Sequence, residues 1–471
     1  MTSMNEAQEK IRQKKAEKEA DAEGAESMNG ENLEMYEDII ADQFAEDNKD
    51  KLRFDASAKR WHKYDGARWK PDNTELAFHE ARMMTRGLAM TKANRRSTGK
   101  YQFANHVERY ARTDRRMVVE ADHWDRDPFL LGTPEGTVDL RTGELRDADP
   151  NDFITKVTAV TPSASADAPQ WKNFIHEATG GDDKLASFMQ RLTGYAMTGD
   201  TSEHLLAFIY GPGGNGKGVF LNTVSRILSD YATEAAMDMF TASKFRGHPT
   251  DRAMLRGARL VTSTETTEGR EWDETLVKQM TGGDRITARF MRQDNFTFTP
   301  QFQLLISGNH QPKLRNVDDA MRRRLVMIPF NNRPPRKDTK LPEKLRAEWP
   351  GILRWMIDGC LAWQRDGLDI PDVVKVATSE YFEGEDIFGQ WIEEWIMHDP
   401  AAVGPKRARL DDLFANWAAY ALAAKEQPRE TRWFTSEMVK RGFDRKKKSS
   451  GVVRFEGIRL RQPSDDQGGL I

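Results

Sequence analysis

The stretch Leu205-Leu-Ala-Phe-Ile-Tyr210, followed directly by Gly211-Pro-Gly-Gly-Asn-Gly-Lys-Gly218, constrains this 471-residue chain more than any other. An apolar run of strand length feeds a glycine-rich turn, then a lysine and the amphipathic stretch Val219 to Leu228. Strand, loop and helix in that order are what a phosphate-binding loop requires. Gly211, Gly213, Gly214 and Gly216 permit backbone angles and close approach denied to other residues. With Asn215 and Gly218 they complete a candidate nucleotide cradle, whose N–H groups point inward at an anion and are backed by a helix N-terminus. Lys217 is placed to neutralise the β- and γ-phosphate oxygens, so ATP with Mg²⁺ is the expected ligand. One position departs from the usual pattern. The lysine is ordinarily followed by Ser or Thr, whose hydroxyl ligates Mg²⁺; here Gly218 follows. Magnesium then has to draw on phosphate oxygens, water and an acidic residue. A nucleotide that binds but turns over slowly stays open on this reading.

Three later segments add to the loop. Arg259-Leu-Val-Thr-Ser-Thr-Glu265 reads as a buried strand ending in an acid. A Glu at a strand end is more often merely solvated, but the spacing of Glu265 behind the loop suits a carboxylate that orients the attacking water and helps hold Mg²⁺. Glu268 is a weaker candidate. Gln303-Leu-Leu-Ile-Ser-Gly-Asn309 is another apolar strand with a polar tip, and Asn309 can bond the γ-phosphate or the nucleophilic water; Gly-Asn is also ordinary turn chemistry. Asp319-Ala-Met-Arg-Arg-Arg-Leu325 sets three arginines before a further strand, Leu325 to Phe330. A guanidinium suits the charge on a transferring phosphoryl group and can be supplied by a neighbouring subunit.

The order of these parts, with Thr281-Gly-Gly-Asp284 and Ser307-Gly-Asn-His310 among them, resembles a superfamily 3 helicase. More narrowly it resembles the helicase region of phage and plasmid primase-helicases, related to the poxvirus replication ATPase. Asn151-Asp-Phe-Ile-Thr-Lys156 and Gln190-Arg-Leu-Thr-Gly-Tyr195 extend the likeness over roughly residues 55 to 470. The resemblance implies an α/β chain with an AAA+-like P-loop core that forms a ring, usually a homo-hexamer, with ATP between subunits. Lys217 and Glu265 would act in one subunit with Asn309 as sensor, and Arg323 or Arg324 would be the finger from the next; Arg322 stays open. It also implies 3′ to 5′ movement on single-stranded DNA during replication of a phage, prophage or plasmid in a bacterial cytoplasm. The alternative is an initiator or regulator that binds ATP and DNA without efficient unwinding.

Two segments are candidates for DNA contact. Asp284 to Thr299 carries apolar residues on alternate positions, Ile286, Ala288 and Phe290, then Phe296 and Phe298, around a polar break. That is a hairpin pattern. In the resembling family such a hairpin enters the ring channel, which implies phosphate contacts from Arg292 and Arg289. From Thr431 to Arg461 there are ten Lys or Arg against three Asp or Glu. Helices followed by a hairpin wing resemble a winged-helix domain, with Thr435 to Arg441 as recognition helix and Lys446, Lys447 and Lys448 on the wing, suited to duplex origin DNA.

Composition bounds the rest. A net charge of −3 excludes a uniformly basic nucleic-acid coat, so DNA contacts must be local. The one cysteine, Cys360, excludes a disulfide framework and zinc ribbons and fits a reducing compartment. No run is apolar and long enough to span a bilayer, so no membrane role is expected. The first fifty residues carry 15 acids and 6 bases, which predicts a disordered acidic arm over 1–52, with a short helix at Leu33 to Phe44. The remaining boundaries are an N-terminal α+β domain over 53–165, a helical collar-like segment over 166–200, an ATPase core over 201–365 and a winged-helix-like domain over 366–471. Within the first of these, Trp61, Tyr64 and Trp69 around Asp65-Gly66 predict a hairpin. With little ordered sequence ahead of the helicase motifs, primer synthesis from this polypeptide is not expected.

Overall fold

The computed structural model describes residues 36–88, 98–242, 249–264, 269–291, 294–315, 317–334, 337–402, 408–447, 452–462 and 465. The chain divides into two units between Trp124 and Asp125.

In the first unit, helix α1 (Glu37–Asn48) precedes strands β1 (Leu52–Asp55), β2 (Arg60–Tyr64) and β3 (Trp69–Pro71), helices α2 (Leu76–Leu88) and α3 (Tyr101–Ala111), and strand β4 (Val118–Val119). The sheet order is β3-β2-β1-β4, with β4 parallel to β1 and the other pairs antiparallel. The expected hairpin is β2–β3. Its turn is held by the Asp65 carboxylate, which accepts from the backbone N–H of Ala67 at 3.0 Å and Arg68 at 2.9 Å. Gly66 supplies the positive φ of 99° that the turn needs. The acidic-arm reading needs correcting at its C-terminal end. Residues 37–48 are a helix that packs Ile40, Ala41, Phe44 and Ala45 against Leu52, Phe54, Trp61 and Val107. Their i, i+1, i+4, i+5 spacing is one helical face; the short helix expected from Leu33 to Phe44 is thus present from Glu37 to Asn48 and packed, not part of a disordered arm. The rest of the expected arm lies outside the described residues, as do Arg95 and Arg96.

The second unit opens with a meander, β5 (Leu130–Thr133), β6 (Gly136–Asp139) and β7 (Glu144–Arg146). Leu131, Val138 and Leu140 are fully buried in the same core as Trp171 and Met356. The expected boundary at residue 165 is therefore wrong: these strands share the core of the helices C-terminal to them. Helices α4 (Pro169–Thr179) and α5 (Asp183–Tyr195) come next. The Asp182 side chain caps α5 by accepting from the N–H of Lys184 at 2.9 Å and Leu185 at 3.0 Å.

The central sheet contains β8 (Leu206–Tyr210), β9 (Ala232–Glu234), β10 (Leu260–Ser263), β13 (Gln303–Gly308) and β14 (Leu325–Pro329), in the order β14-β8-β13-β10-β9, all parallel. Helix α6 (Lys217–Leu228) follows β8; helix α7 (Glu274–Thr281) and the pair β11 (Ile286–Ala288) and β12 (Phe296–Phe298) lie between β10 and β13. Strands buried on both faces read as continuous apolar runs, and here period-two alternation feeds two cores. Ala207, Ile209, Leu305, Val326 and Ile328 face one; Leu206, Phe208, Leu304, Ile306, Leu325 and Met327 face the other. Register brings Tyr210 level with Gly308 and with Pro329, so the C-terminal ends of the three strands meet at one edge. In open parallel sheets ligands bind at that edge, where neighbouring connections diverge.

Helices α8 (Leu341–Ala347), α9 (Trp349–Asp366) and α10 (Asp372–Glu385) complete the core. Helices α5 and α9 cross closely: a Cβ on Gly194 would lie 2.1 Å from the Cys360 nitrogen, and one on Gly359 would lie 2.1 Å from the Gln190 carbonyl oxygen. Helix α10 buries Ala377, Tyr381 and Phe382 beside the sheet, and Thr378 Oγ1 accepts from the Met327 N–H at 3.0 Å. The C-terminal section therefore has its own core only from about residue 387, not 366. It runs α11 (Ile387–Trp395), β15 (Ile396–His398), β16 (Ala408–Arg409), α12 (Leu410–Ala423), α13 (Thr431–Lys440), β17 (Arg445–Lys447), β18 (Val453–Phe455) and β19 (Ile458–Leu460). A three-stranded sheet of order β16-β18-β17 and the pair β15–β19 flank its helices. Among the described residues no helix is long and apolar enough to cross a membrane.

Candidate functional site

The loop from Gly211 to Gly216 joins β8 to α6 at the C-terminal edge of the sheet. Three of its glycines have positive φ: Gly211 at 148°, Gly214 at 83° and Gly216 at 89°. Two are also sterically fixed. A Cβ on Gly211 would sit 2.1 Å from the Phe330 carbonyl oxygen, and one on Gly216 would sit 2.7 Å from the Phe174 ring. The strand β14 continuation and helix α4 thus press on the loop from two sides, which holds its backbone in one shape. The Asn215 amide donates to the Phe330 carbonyl and so fixes its own oxygen toward Lys217.

Lys217 is 7% exposed. Its ammonium donates to the Gly211 carbonyl at 2.7 Å, to Asn215 Oδ1 at 3.0 Å and to Asn309 Oδ1 at 3.0 Å. Burial holds the amine below the ordinary lysine range. Two sites predicted from segments about ninety residues apart, the loop lysine and the strand-tip asparagine, therefore converge on one point. A pocket of about 560 Å³ opens there, lined by Gly213 to Val219 and by Asn309, and extends along α6 past Asn222, Thr223 and Arg226 to Pro342 and Trp349. That size lies in the range of small-ligand sites. Sequence reading missed this second half. Asn222 and Arg226 repeat the Gly218 face at four-residue spacing, a signal that was available. Pro342 and Trp349 arrive from α8 and α9, and nothing local announces them.

The glycine cradle and Lys217 suit a triphosphate. For Mg²⁺ the fit is poorer. A Cβ on Gly218 would meet nothing within 4 Å, so the position offers room but no oxygen ligand. Among the described residues no group of three or more His, Cys, Asp or Glu could hold a metal ion. Glu265, the expected acid, and Glu268 lie outside the described residues; β10, which leads to them, runs parallel to β13 with Ser263 opposite Ile306.

Arg323 and Arg324 are not brought to Lys217. The Arg324 carbonyl accepts from the Leu206 N–H at 2.6 Å, at the start of β8. The arginines therefore lie at the opposite end of the sheet from Gly211, about 16 Å away along the strand at about 3.3 Å per residue. Arg322 stacks over the Phe382 ring at 5.1 Å, and Arg324 Nη1 donates to the Ala320 carbonyl at 2.9 Å. Arg323 is exposed, with no ion pair among the described residues.

The hairpin β11–β12 is present, with Ile286 opposite Phe298 and Ala288 opposite Phe296. Arg289 follows β11 and is exposed; Arg292 lies outside the described residues. Phe290, expected on the apolar face, is instead 37% exposed and stacks on Phe296 at 5.4 Å, with Met291 70% exposed beside it. In the C-terminal section Lys446 is exposed on β17 and lies 3.6 Å from the Glu456 carboxylate. Lys447 ends β17, and Lys448 lies outside the described residues. Arg441, at the end of the expected recognition helix, is turned inward: it pairs with Asp386 at 2.6 Å and covers the Phe388 ring at 5.3 Å. It fastens α13 to α11 and is not available to a ligand.

Residues 38–180 match the family described as D5 N terminal like, and residues 209–324 match a family of unknown function, DUF5906. The L207/L206 protein of Acanthamoeba polyphaga mimivirus, named as a candidate helicase, is 26% identical over 298 residues, covering 58% of this chain and 31% of that protein. The 121R protein of Invertebrate iridescent virus 3, named likewise, is 23% identical over 392 residues, covering 74% of this chain and 41% of its own. The chain thus spans well under half the length of these curated relatives. The apo C-terminal region of NrS-1 has the same fold, with a TM-score of 0.50 at 11% identity, over 87% of this chain and 96% of that one. The chain is thus similar over residues 38–180 to the family described as D5 N terminal like and, over part of their length, to proteins of large DNA viruses named as candidate helicases, and it shares its fold with the NrS-1 C-terminal region.

Proposed function

We propose that this chain is an ATP hydrolase of the superfamily 3 helicase type, a ring-forming motor that moves on single-stranded DNA during replication of a phage, prophage or plasmid. The observation that carries the reading is the meeting of Lys217 and Asn309, 3.0 Å apart, over a glycine cradle at the C-terminal edge of a parallel sheet. A buried lysine with no carboxylate partner among the described residues suits an anion, and an asparagine beside it would report on the last phosphate. Glycine N–H groups would hold the triphosphate, Lys217 would neutralise the developing charge, and Glu265 would orient the water. Arg323 is the preferred finger, because Arg322 and Arg324 already have partners and its distance from its own loop suits action on a neighbour in a homo-hexamer. The exposed Phe290 and Arg289 on the hairpin suit base stacking and phosphate contact in a ring channel. The C-terminal order of helix, two short strands, two helices, hairpin and a last strand suits a winged helix, with Lys446 and its neighbours toward duplex DNA.

The test is ATP hydrolysis with and without single-stranded DNA, for wild type, Lys217→Ala, Glu265→Gln and Arg323→Ala. Stimulated turnover lost in all three, with nucleotide binding retained in Arg323→Ala, is the expected result. A second reading is favoured by Gly218: an ATP-binding initiator or regulator that engages DNA without efficient unwinding. Binding without DNA-stimulated turnover would put it first.

A further inference from the structure

The first unit carries a second concavity, unrelated to the nucleotide loop. It has a volume of about 540 Å³, and its lining includes Phe54, Val118, Lys59, Arg109, Arg112 and Arg115. Four cations line this hollow, and the nearby acids Glu108, Asp114 and Asp55 already have partners. Glu108, buried at 2% exposure, accepts from Arg112 Nε at 2.7 Å and from the Trp61 indole. Asp114 is turned onto Arg116, at 2.6 Å, and Arg116 also binds Asp42 at 2.5 Å. Asp55 accepts from the Ala58 N–H at 2.8 Å and from the Trp124 indole at 2.9 Å. Lys59, Arg109 and Arg115 are exposed and have no ion pair among the described residues. Basic side chains at a helix C-terminus offset its dipole, which accounts for Arg109 and Arg112 at the end of α3. It does not account for Arg115 beyond the helix, or for Lys59 in the β1–β2 turn. Lys59 has a φ of 53°, a conformation unfavourable for a side chain of its size, and it is held at the rim of this hollow.

The floor decides the class of ligand. The Arg112 guanidinium lies over the Phe54 ring at 5.3 Å, fixed from behind by Glu108. A guanidinium plane on an aromatic ring is a stacking surface for a nucleobase. We propose that this hollow is a binding site for single-stranded DNA, seating one unstacked base on the Arg112–Phe54 platform with the adjoining phosphates on Lys59, Arg109 and Arg115. A duplex has no free base to offer the platform, and a free phosphate would leave it unused. The proposal shares with the proposed function only the expectation that the chain meets DNA.

The test uses the full chain without nucleotide. A fluorescein-labelled oligothymidylate is titrated by anisotropy at several salt concentrations, and a 5-iodouracil version is photo-crosslinked and mapped by mass spectrometry. Arg109→Glu/Arg115→Glu is compared with Arg82→Glu/Arg86→Glu, two exposed positions on α2 outside the hollow. Crosslinks to residues 101–124 are expected in wild type and in the α2 control, and are expected to vanish in the first variant. Two lost phosphate contacts should flatten the slope of log K against log salt by about 1.4, at about 0.7 per contact on single strands. The milder Arg109→Gln/Arg115→Gln should move both readouts the same way, and guards against misfolding of the charge reversal. Wild-type affinity and slope in both variants, or crosslinks confined to other segments, would overturn the proposal. So would displacement of the strand by inorganic tripolyphosphate as readily as by unlabelled strand, or equal capture of blunt duplex. Lys217→Ala run in parallel keeps the two readings separable: full hydrolysis there removes the ATPase reading and leaves the crosslink map to decide this one.

Discussion

Replacing Gly194 by alanine tests how the second unit is held together. Gly194 and Gly359 let α5 and α9 touch backbone to backbone. A Cβ at 194 would stand 2.1 Å from the Cys360 nitrogen and 2.5 Å from the Gly359 carbonyl carbon. Comfortable separations are about 3.5–4.0 Å, so the helices must part by more than about 1 Å, or α5 must bend. Either change opens the layer where Leu192, Tyr195, Met356 and Ile357 are at most 2% exposed. Overfilling a packed core costs about 1–3 kcal/mol, while Gly to Ala in a helix interior returns about 1 kcal/mol. The clash is with backbone on the far side, which cannot rotate away, so we place the cost at the upper end and expect a net loss of about 2 kcal/mol. Gly384→Ala is the control, near the C-terminus of α10, where an added Cβ meets nothing within 4 Å; it should be neutral or gain up to about 1 kcal/mol. Urea unfolding of the full chain, with the transition of the second unit fitted separately, measures both. If Gly194→Ala is as stable as Gly384→Ala, the close crossing is not what holds these helices and the reasoning fails.

Three further outcomes rest on named residues. Gly218→Ser should fold at wild-type stability, since its Cβ enters open space, and should raise hydrolysis a few-fold at limiting Mg²⁺ by adding the missing oxygen; a lowered melting temperature or unchanged Mg²⁺ dependence contradicts it. Burial lowers the Lys217 pKa below its ordinary 10.5, so between the depressed value and 10.5 the unfolded chain binds the extra proton. Stability relative to Lys217→Met should therefore rise with pH across that window in the absence of nucleotide, and an opposite slope in urea titrations refutes the burial account. Burial also pushes the Cys360 thiol up to about 12, roughly a thousandfold less thiolate than an ordinary cysteine at neutral pH. As the chain's one cysteine, it should resist iodoacetamide until the second unit opens, with labelling tracking denaturant; fast labelling of the native protein refutes it.

What could be read before the fold was known depended on how local each signal is. The strands of the central sheet were legible because a strand buried on both faces must be apolar throughout, as Leu205 to Ile209 and Leu304 to Ile306 are. The loop was legible because glycine adopts the positive φ found at Gly214 and Gly216 without strain. The hairpin was legible from alternation, but alternation alone carried Phe290 to the buried face, where the strand had already ended at Ala288. The far wall of the pocket was not legible. Trp349 owes its place to the α5–α9 crossing, and no neighbour in sequence encodes that. Thr435 to Arg441 read as a recognition helix from charge counted without Asp386, 55 residues away, which claims Arg441. The unit boundary moved to Trp124 because strands 130–146 bury their apolar side on α9, a partner more than two hundred residues later.

The arrangement around Lys217 carries one more consequence. Its ammonium donates to the Gly211 carbonyl, to Asn215 Oδ1 and to Asn309 Oδ1. On the reading proposed above, an anion in the cradle would compete with these acceptors, and Asn309, exposed just beyond the end of β13, is the one that does not belong to the loop itself. β13 itself is paired on both sides, with β8 and β10, and its N-terminal end follows the β11–β12 hairpin by a few residues. On the reading proposed above, one rigid strand therefore links the nucleotide cradle at one end to the hairpin at the other.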